Sequence, residues 1–244
     1  MPITEPITMH VVPMSHPCMT ARAGLQHKGL EFEEVMLLPG NQDGVLEGIY
    51  GEGNTTVPGI LVGEEPVHTS IGILRFIEEQ VPENPLYPEA IASDVREAEV
   101  WGDEYFQDVA RRLPFGALHF RPGSMGTFAG AGELDAAGTD FAAKNLRGIW
   151  RYMKLKPSHL MEDLARIDET IERIESYARE GIIDGETPTA ADFQIAASAR
   201  VLLTVGDLLP AFEGTAAERI ARRFFPDYEG EIPAGAFPPA WVKN

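Results

Sequence analysis

Strand-like runs occur only before residue 70 of this chain, and past residue 88 every patterned segment is helical. Between the two lies Pro82-Glu83-Asn84-Pro85-Leu86-Tyr87-Pro88, a segment punctuated by three prolines. Proline fixes its own φ and pushes the preceding residue out of the helical region, so such a segment breaks regular structure and suits a domain boundary. The division predicts an α/β domain over residues 1–82, a linker over 83–92 and an all-helical domain over 93–244. A chain of 244 residues can supply a sizeable core to each.

The first part reads as βαβ followed by ββα. Thr8 to Val12 is β-rich and stops at Pro13. Ser15-His16-Pro17-Cys18 follows, and Met19 to Lys28 reads as a helix with Leu25 on its inner face and Gly29 as its stop. Glu31 to Met36 alternates as a strand does. Pro39 to Asn54 is rich in Gly, Asn and Asp and reads as a loop, with a short helix near Val45 to Tyr50. A short apolar strand then follows Pro58 through Val62, and a second is Pro66 to His68. Ser70 opens a helix whose Ile71, Leu74 and Ile77 recur at helical spacing.

Residues 55 to 76 hold the chemistry this half of the chain can offer. X-Pro bonds are the ones that become cis cheaply. A cis Val57-Pro58 bond would turn the Val57 N–H and C=O outward, where an extended, peptide-like ligand could pair with them as a further strand. A trans proline entering an edge strand fits the same residues. Ser70 stands at a helix start, where a hydroxyl and free N–H groups suit a carboxylate. An ordinary cap is the plainer alternative.

In the second part, Val95, Ala98, Trp101, Tyr105, Val109 and Leu113 follow helical spacing, with Ser93 as the expected N-cap. Arg121 to Glu133 is glycine-rich and lacks the ending of a phosphate loop, which leaves it a flexible connection. A helix is expected from Asp135 to Lys156. Another starts at Pro157-Ser158 with a stripe of Leu160, Leu164, Ile167, Ile171 and Ile174. Thr189-Ala190-Ala191-Asp192 resembles a capping box opening a central apolar helix through Val205. A last helix lies near Thr215 to Phe225.

Charge narrows the partners. The formal net charge of −18 argues against nucleic acid and against an anionic membrane surface. One cysteine, Cys18, excludes an internal disulfide and suits a reducing, cytoplasmic compartment. Neither a signal peptide nor an apolar run long enough to cross a bilayer is present in the sequence, and no metal is expected.

These pieces, in this order, resemble the cytosolic glutathione transferases, of serine type. The residues that carry the resemblance are Ser15 to Cys18 with Ala21 to Leu30, Val57-Pro58, Thr69 to Leu74, Leu86-Tyr87-Pro88 and Thr187 to Phe193. Together they cover nearly the whole chain. The resemblance implies a thioredoxin-like N-terminal domain, an all-helical C-terminal bundle and a homodimer. It also implies glutathione as co-substrate, added to a small electrophile. Ser15 would stabilise the thiolate from the start of the first helix, Val57 with Pro58 would present the backbone partner of the cysteinyl unit, and Thr69 with Ser70 would hold the γ-glutamyl end. The family usually has Glu or Gln where Thr69 stands, and threonine brings no negative charge for the ligand's ammonium group. The Arg121 to Gly132 stretch looks like an insertion to which the resemblance assigns nothing.

Other residues have two readings each. Cys18 falls where the second cysteine of a thioredoxin-type pair would be, one helical turn in, and reads as a small core hydrophobe. His16 could relay a proton beside the site or be a surface histidine. Tyr105, Phe106, Arg112 and Phe115 could line an electrophile pocket, with Tyr105 read as core. Lys144, Arg147, Arg151 and Lys154 share a helix face that could recruit an anion or, more plainly, pair with Glu162, Asp163, Asp168, Glu169 and Glu172. A thiol-disulfide reductase, an enzyme using another small thiol and a non-catalytic binding protein are the alternatives to a transferase.

Overall fold

The computed structural model describes residues 3–38 and 42–242. They form two compact units, each discontinuous in sequence: residues 1–103 with 181–197, and residues 104–180 with 198–244.

The first unit is built on four strands, β1 (Ile7–Val11), β2 (Phe32–Met36), β3 (Gly59–Val62) and β4 (Glu65–His68), in the order β2-β1-β3-β4. β1 runs parallel to β2 and antiparallel to β3, and β3 is antiparallel to β4. Helix α1 (His16–His27) makes the crossover from β1 to β2, and α2 (Gln42–Tyr50) and α3 (Ser70–Gln80) follow. The expected βαβ-ββα order is therefore present; the loop expected from Pro39 begins outside the described residues, at 39–41. α1 starts three residues before the expected Met19 because Ser15 caps it and Pro17 is tolerated in a first turn. Gly29, at φ +66°, ends it, with its N–H donated back to the Gln26 carbonyl at 2.9 Å.

The core of this unit gathers Met9, Leu25, Ile60, Ile73, Leu74 and Ile77, all fully buried. α1 and α3 touch so closely that a Cβ at Gly24 would overlap the Leu74 side chain. The same unit holds α4 (Ala92–Trp101) and the start of α9 (Ala190–Leu202). Ser93 is not the cap of α4: the helix enters from a 3-10 turn, Glu89–Ile91, and Ile91 occupies the cap position without a side-chain bond. The capping box before α9 is reciprocal: the Thr189 N–H donates to Asp192 Oδ2 at 2.8 Å, and the Asp192 N–H donates to Thr189 Oγ1 at 3.3 Å.

The second unit is helical. A π-helical turn, Gly102–Phe106, leads into α5 (Gln107–Phe120); α6 (Ala136–Tyr152), α7 (Pro157–Ala165), α8 (Ile167–Arg179), α10 (Leu209–Phe212) and α11 (Ala216–Phe224) follow. Three expectations are corrected here. The glycine-rich stretch contains 3-10 helix over Pro122–Ala129, with its Ser124, Gly126 and Phe128 buried, so it is not merely a flexible connection. α6 stops at Tyr152, because Lys154 takes a left-handed φ of 53°. The stripe from Leu160 to Ile174 is shared by two helices that part at Arg166, yet all five residues are buried.

Candidate active site

Strand register gathers the sequence-predicted site residues of the first unit at one end of its sheet. His10 of β1 lies opposite Gly59 of β3, and Gly59 lies opposite His68 of β4. The chain leaves β1 toward Ser15, enters β3 from Val57-Pro58 and leaves β4 into Thr69-Ser70. With strands about 4.8 Å apart, the row from β1 to β4 is roughly 10 Å wide.

Ser15 is the N-cap of α1, half-buried, with φ −76° and ψ 110°; its Oγ accepts the Cys18 N–H at 3.4 Å. The hydroxyl proton is not used by that bond, so the cap can still donate. The Val57-Pro58 bond is cis. Among the described residues none hydrogen-bonds to the Val57 backbone. Thr69 donates its N–H to the Pro58 carbonyl at 3.0 Å, which ties the turn before β3 to the turn after β4. Thr69 has φ 70° and ψ 153°, a conformation that costs a β-branched residue about 1–3 kcal/mol. Its Oγ1 accepts the Gly72 N–H at 3.0 Å, so the Thr69 side chain caps its own helix. Ser70, 2% exposed, opens α3 beside those first amides.

A scaffold that the sequence did not reveal stands behind this row. The Tyr50 ring stacks on His68, with centroids 5.2 Å apart, and its hydroxyl bonds His10 Nδ1 at 2.7 Å in a buried position. A Cβ at Gly59 would collide with the same ring. His68 Nε2 meets the Thr56 carbonyl at 2.7 Å, next to Val57. Burial lowers the His10 pKa and raises that of Tyr50, so both are held neutral.

Cys18 is buried, and burial pushes its thiol up to about 11, against smaller opposing effects led by the Ser15 contact. It is a core residue. His16 is buried too, which corrects the surface reading. In the second unit, Phe106 is fully buried and Phe115 half-buried. Arg112 is held by Asp163 through Nε and Nη2 at 2.7 and 2.8 Å, and by Asp108 at 3.4 Å. It lines a polar recess with Tyr105, His159, Glu162 and Arg166. Tyr105, expected in the core, is only half-buried, and its hydroxyl meets Thr170 Oγ1 at 3.1 Å. Lys144, Arg147, Arg151 and Lys154 are exposed and, among the described residues, form no ion pair. Three of the five expected acidic partners are engaged elsewhere, Asp163 by Arg112, Glu169 by Arg166 and Glu172 by Arg179.

Among the described residues no group of His, Cys, Asp and Glu could hold a metal ion, and no helix is long and apolar enough to cross a membrane. No family model matches the chain, and no curated protein does. Solved structures do. FzlA from C. crescentus superposes with a TM-score of 0.56 at 18% identity, covering 98% of this chain and 96% of that one. The β-etherase LigF from Sphingobium sp. strain SYK-6 gives 0.58 at 19%, over 90% of each chain. A glutathione S-transferase from Methylobacterium radiotolerans, solved with glutathione sulfonate, gives 0.53 at 18%, over 93% and 94%. At these identities the likeness is one of architecture: the chain has the two-part fold of glutathione-transferase-like structures, a thioredoxin-like α/β part and a helical part.

Proposed function

We propose that the chain is a glutathione-transferase-like enzyme that adds a thiol, glutathione first among candidates, to a small electrophile. The observation that carries this is the shared sheet end: a hydroxyl donor at Ser15, an unpaired backbone at Val57 and a helix start at Ser70, in a row of roughly 10 Å. An extended tripeptide is about as long. In this reading the Val57 N–H and C=O pair with the cysteinyl unit, and Ser70 with the first amides of α3 takes the γ-glutamyl carboxylate. The Ser15 hydroxyl donates to the sulfur, which favours the thiolate over the thiol. The thiolate then forms a C–S bond with the electrophile, whose leaving group departs with its electron pair.

Neutral donors carry the anion recognition. The first unit has four Lys and Arg. Arg22 pairs with Glu34, Lys28 with Glu78 and Arg75 with Glu99, while Arg96 lies over the Tyr87 ring. Thiol-disulfide exchange fits less well, since it needs an accessible thiolate, and the leading position holds Ser15 while the Cys18 thiol is buried. A cytoplasmic homodimer belongs to the same reading.

Ser15→Ala tests it. The variant should bind glutathione nearly as wild type in calorimetric titration. The pKa of the bound thiol should rise by about 1–2 units, each unit being worth about 1.4 kcal/mol. Turnover of an aryl halide should fall at neutral pH and recover in part at high pH. Full activity at every pH would make the hydroxyl only a cap. A wild type that neither binds nor turns over a thiol would leave a non-catalytic binding protein.

A further inference from the structure

Residues 141–161 hold five of the chain's 20 Lys and Arg and none of its 38 Asp and Glu. These five cations lift the formal total to −18 from the −23 of all other residues. All five, Lys144, Arg147, Arg151, Lys154 and Lys156, are exposed and form no ion pair among the described residues. A solvated surface ordinarily mixes both signs of charge. So acidic a chain has carboxylates to spare, yet it leaves this stretch uncompensated.

Helix α6 carries the first three cations. Its inner side holds Ala142 and Leu146, both buried, and Trp150, which donates Nε1–H to the Phe115 carbonyl at 3.0 Å. At about 100° per residue, Phe141, Gly148 and Tyr152 fall on one line along the opposite side. Phe141 and Tyr152 are each 67% exposed, more than any other large apolar side chain described in the second unit. They lie about three turns, or roughly 16 Å, apart along the axis. Gly148, with open space where a Cβ would stand, leaves a gap between the two rings. Lys144, Arg147 and Arg151 run along one flank of that line. The face is therefore an interrupted aromatic ridge edged by positive charge.

Each of these features selects the occupant. Two copies of the face would repel one another. A nucleic acid or an anionic bilayer would reach more than a Debye length, about 8 Å, beyond the patch and meet the acids of the remaining surface. A single narrow segment would not. Helix axes pack about 8–10 Å apart and need small side chains where they come closest. Gly148 supplies that gap. Side chains on a partner helix recur on one line after about three turns, the spacing of Phe141 and Tyr152.

We propose that the α6 face is a docking site for an acidic amphipathic helix of another protein. The apolar stripe of that helix lies along Phe141, Gly148 and Tyr152, and its carboxylates meet Lys144, Arg147 and Arg151. The site is independent of the thiol chemistry proposed for the first unit. A patch of this size gives a weak, salt-sensitive association.

The probe is a fluorescein-labelled peptide of about six helical turns, with Leu and Ala along one face and Glu elsewhere. It is titrated by fluorescence anisotropy with the full chain up to about 200 µM, a range suited to weak pairs. Wild type should bind it, and less tightly at high salt. Arg147→Glu with Arg151→Glu should weaken binding about tenfold or more, since like charges then face each other. Phe141→Ser, which removes a ring, and Gly148→Leu, which fills the gap, change no charge and should each weaken it about fivefold or more. All four positions are exposed, and circular dichroism checks that the variants fold. A peptide of the same composition, shuffled so that no apolar stripe remains, should also bind about fivefold more weakly. Equal binding of the shuffled peptide would reduce the face to a patch of charge and overturn the proposal. So would binding that ignores the α6 variants, or no binding by wild type at about 200 µM. Tighter α6-dependent capture of phosphatidylglycerol vesicles or single-stranded DNA would overturn it as well.

Discussion

The two units handle charge in opposite ways. In the first, ionisable groups are built into the interior. The Lys28 ammonium is buried and uses all three donors, on Glu78 at 2.5 Å and on the carbonyls of Val81 and Glu83 at 2.8 and 2.9 Å. Glu99, with no exposed surface, accepts from Arg75 at 3.0 Å and from the Tyr87 hydroxyl at 2.5 Å. In the second unit a stripe of aliphatic side chains holds α7 and α8, and most ion pairs, such as Arg166 with Glu169 and Arg179 with Glu172, lie on the surface. The Arg112 and Asp163 pair is the exception. Buried pairs contribute little net stability when complete and cost much when broken, while surface pairs matter little either way. The first unit therefore depends on its charges, and the second has charges free for use outside the fold.

The contrast can be broken at its strongest point first. Arg75→Ala strands the Glu99 carboxylate inside the unit and should cost about 3–5 kcal/mol in denaturant melts at neutral pH. Burial already raises the Glu99 pKa, and loss of Arg75 removes a cause that lowers it. A carboxylate whose folded pKa is raised adds stability at low pH and loses it as pH rises. The deficit of the variant should therefore shrink toward acid. A deficit independent of pH would mean that Glu99 is already protonated.

Leu164→Ala probes the other unit and should cost about 2–5 kcal/mol with no such pH dependence. A change below about half a kilocalorie would mean that the stripe does not carry α7.

The mildest effect concerns histidine. Burial lowers the pKa of His10 and His27 in the first unit and of His119 in the second, below the ordinary 6.5. A lowered pKa means stability that is present above 6.5 and lost as pH falls. Stability should thus decline as pH falls below about 6.5, before most carboxylates titrate. His10→Gln, which cannot ionise, should flatten that decline. An unchanged slope would assign it to the other two.

Much of this was legible in the sequence, for identifiable reasons. Strand alternation, the prolines and the Thr189-to-Asp192 box are local signals, and the fold followed from them. Ser15, Val57 and Ser70 could be singled out as candidates because each sits next to a strand terminus or at a helix start. Periodicity could not see the break at Arg166, because Leu164 and Ile167 are three apart and keep the stripe in phase across it. It could not pair Lys144 to Lys154 correctly either, since partners depend on which faces meet. The Tyr50 scaffold lay hidden for the same reason: Gly59 and His68 come together only through the register of β3 on β4. A glycine starting a strand and a histidine ending one gave no sign that one ring would join them.

The discontinuity of the first unit has a consequence for synthesis. Residues 181–197 belong to it, and the contacts that seat them are specific: the Ala190 N–H donates to the Leu86 carbonyl at 2.9 Å, and the Thr20 hydroxyl donates to the Phe193 carbonyl at 3.3 Å. A nascent chain that has delivered residues 1–103 must therefore wait for about 80 further residues, some 4–16 s at ordinary translation rates. Through that interval the apolar surface reserved for Phe193 and its neighbours stays open on the ribosome. Chaperone traffic should concentrate there, and a stop codon anywhere between residues 103 and 197 should release an insoluble fragment rather than a free-standing α/β module.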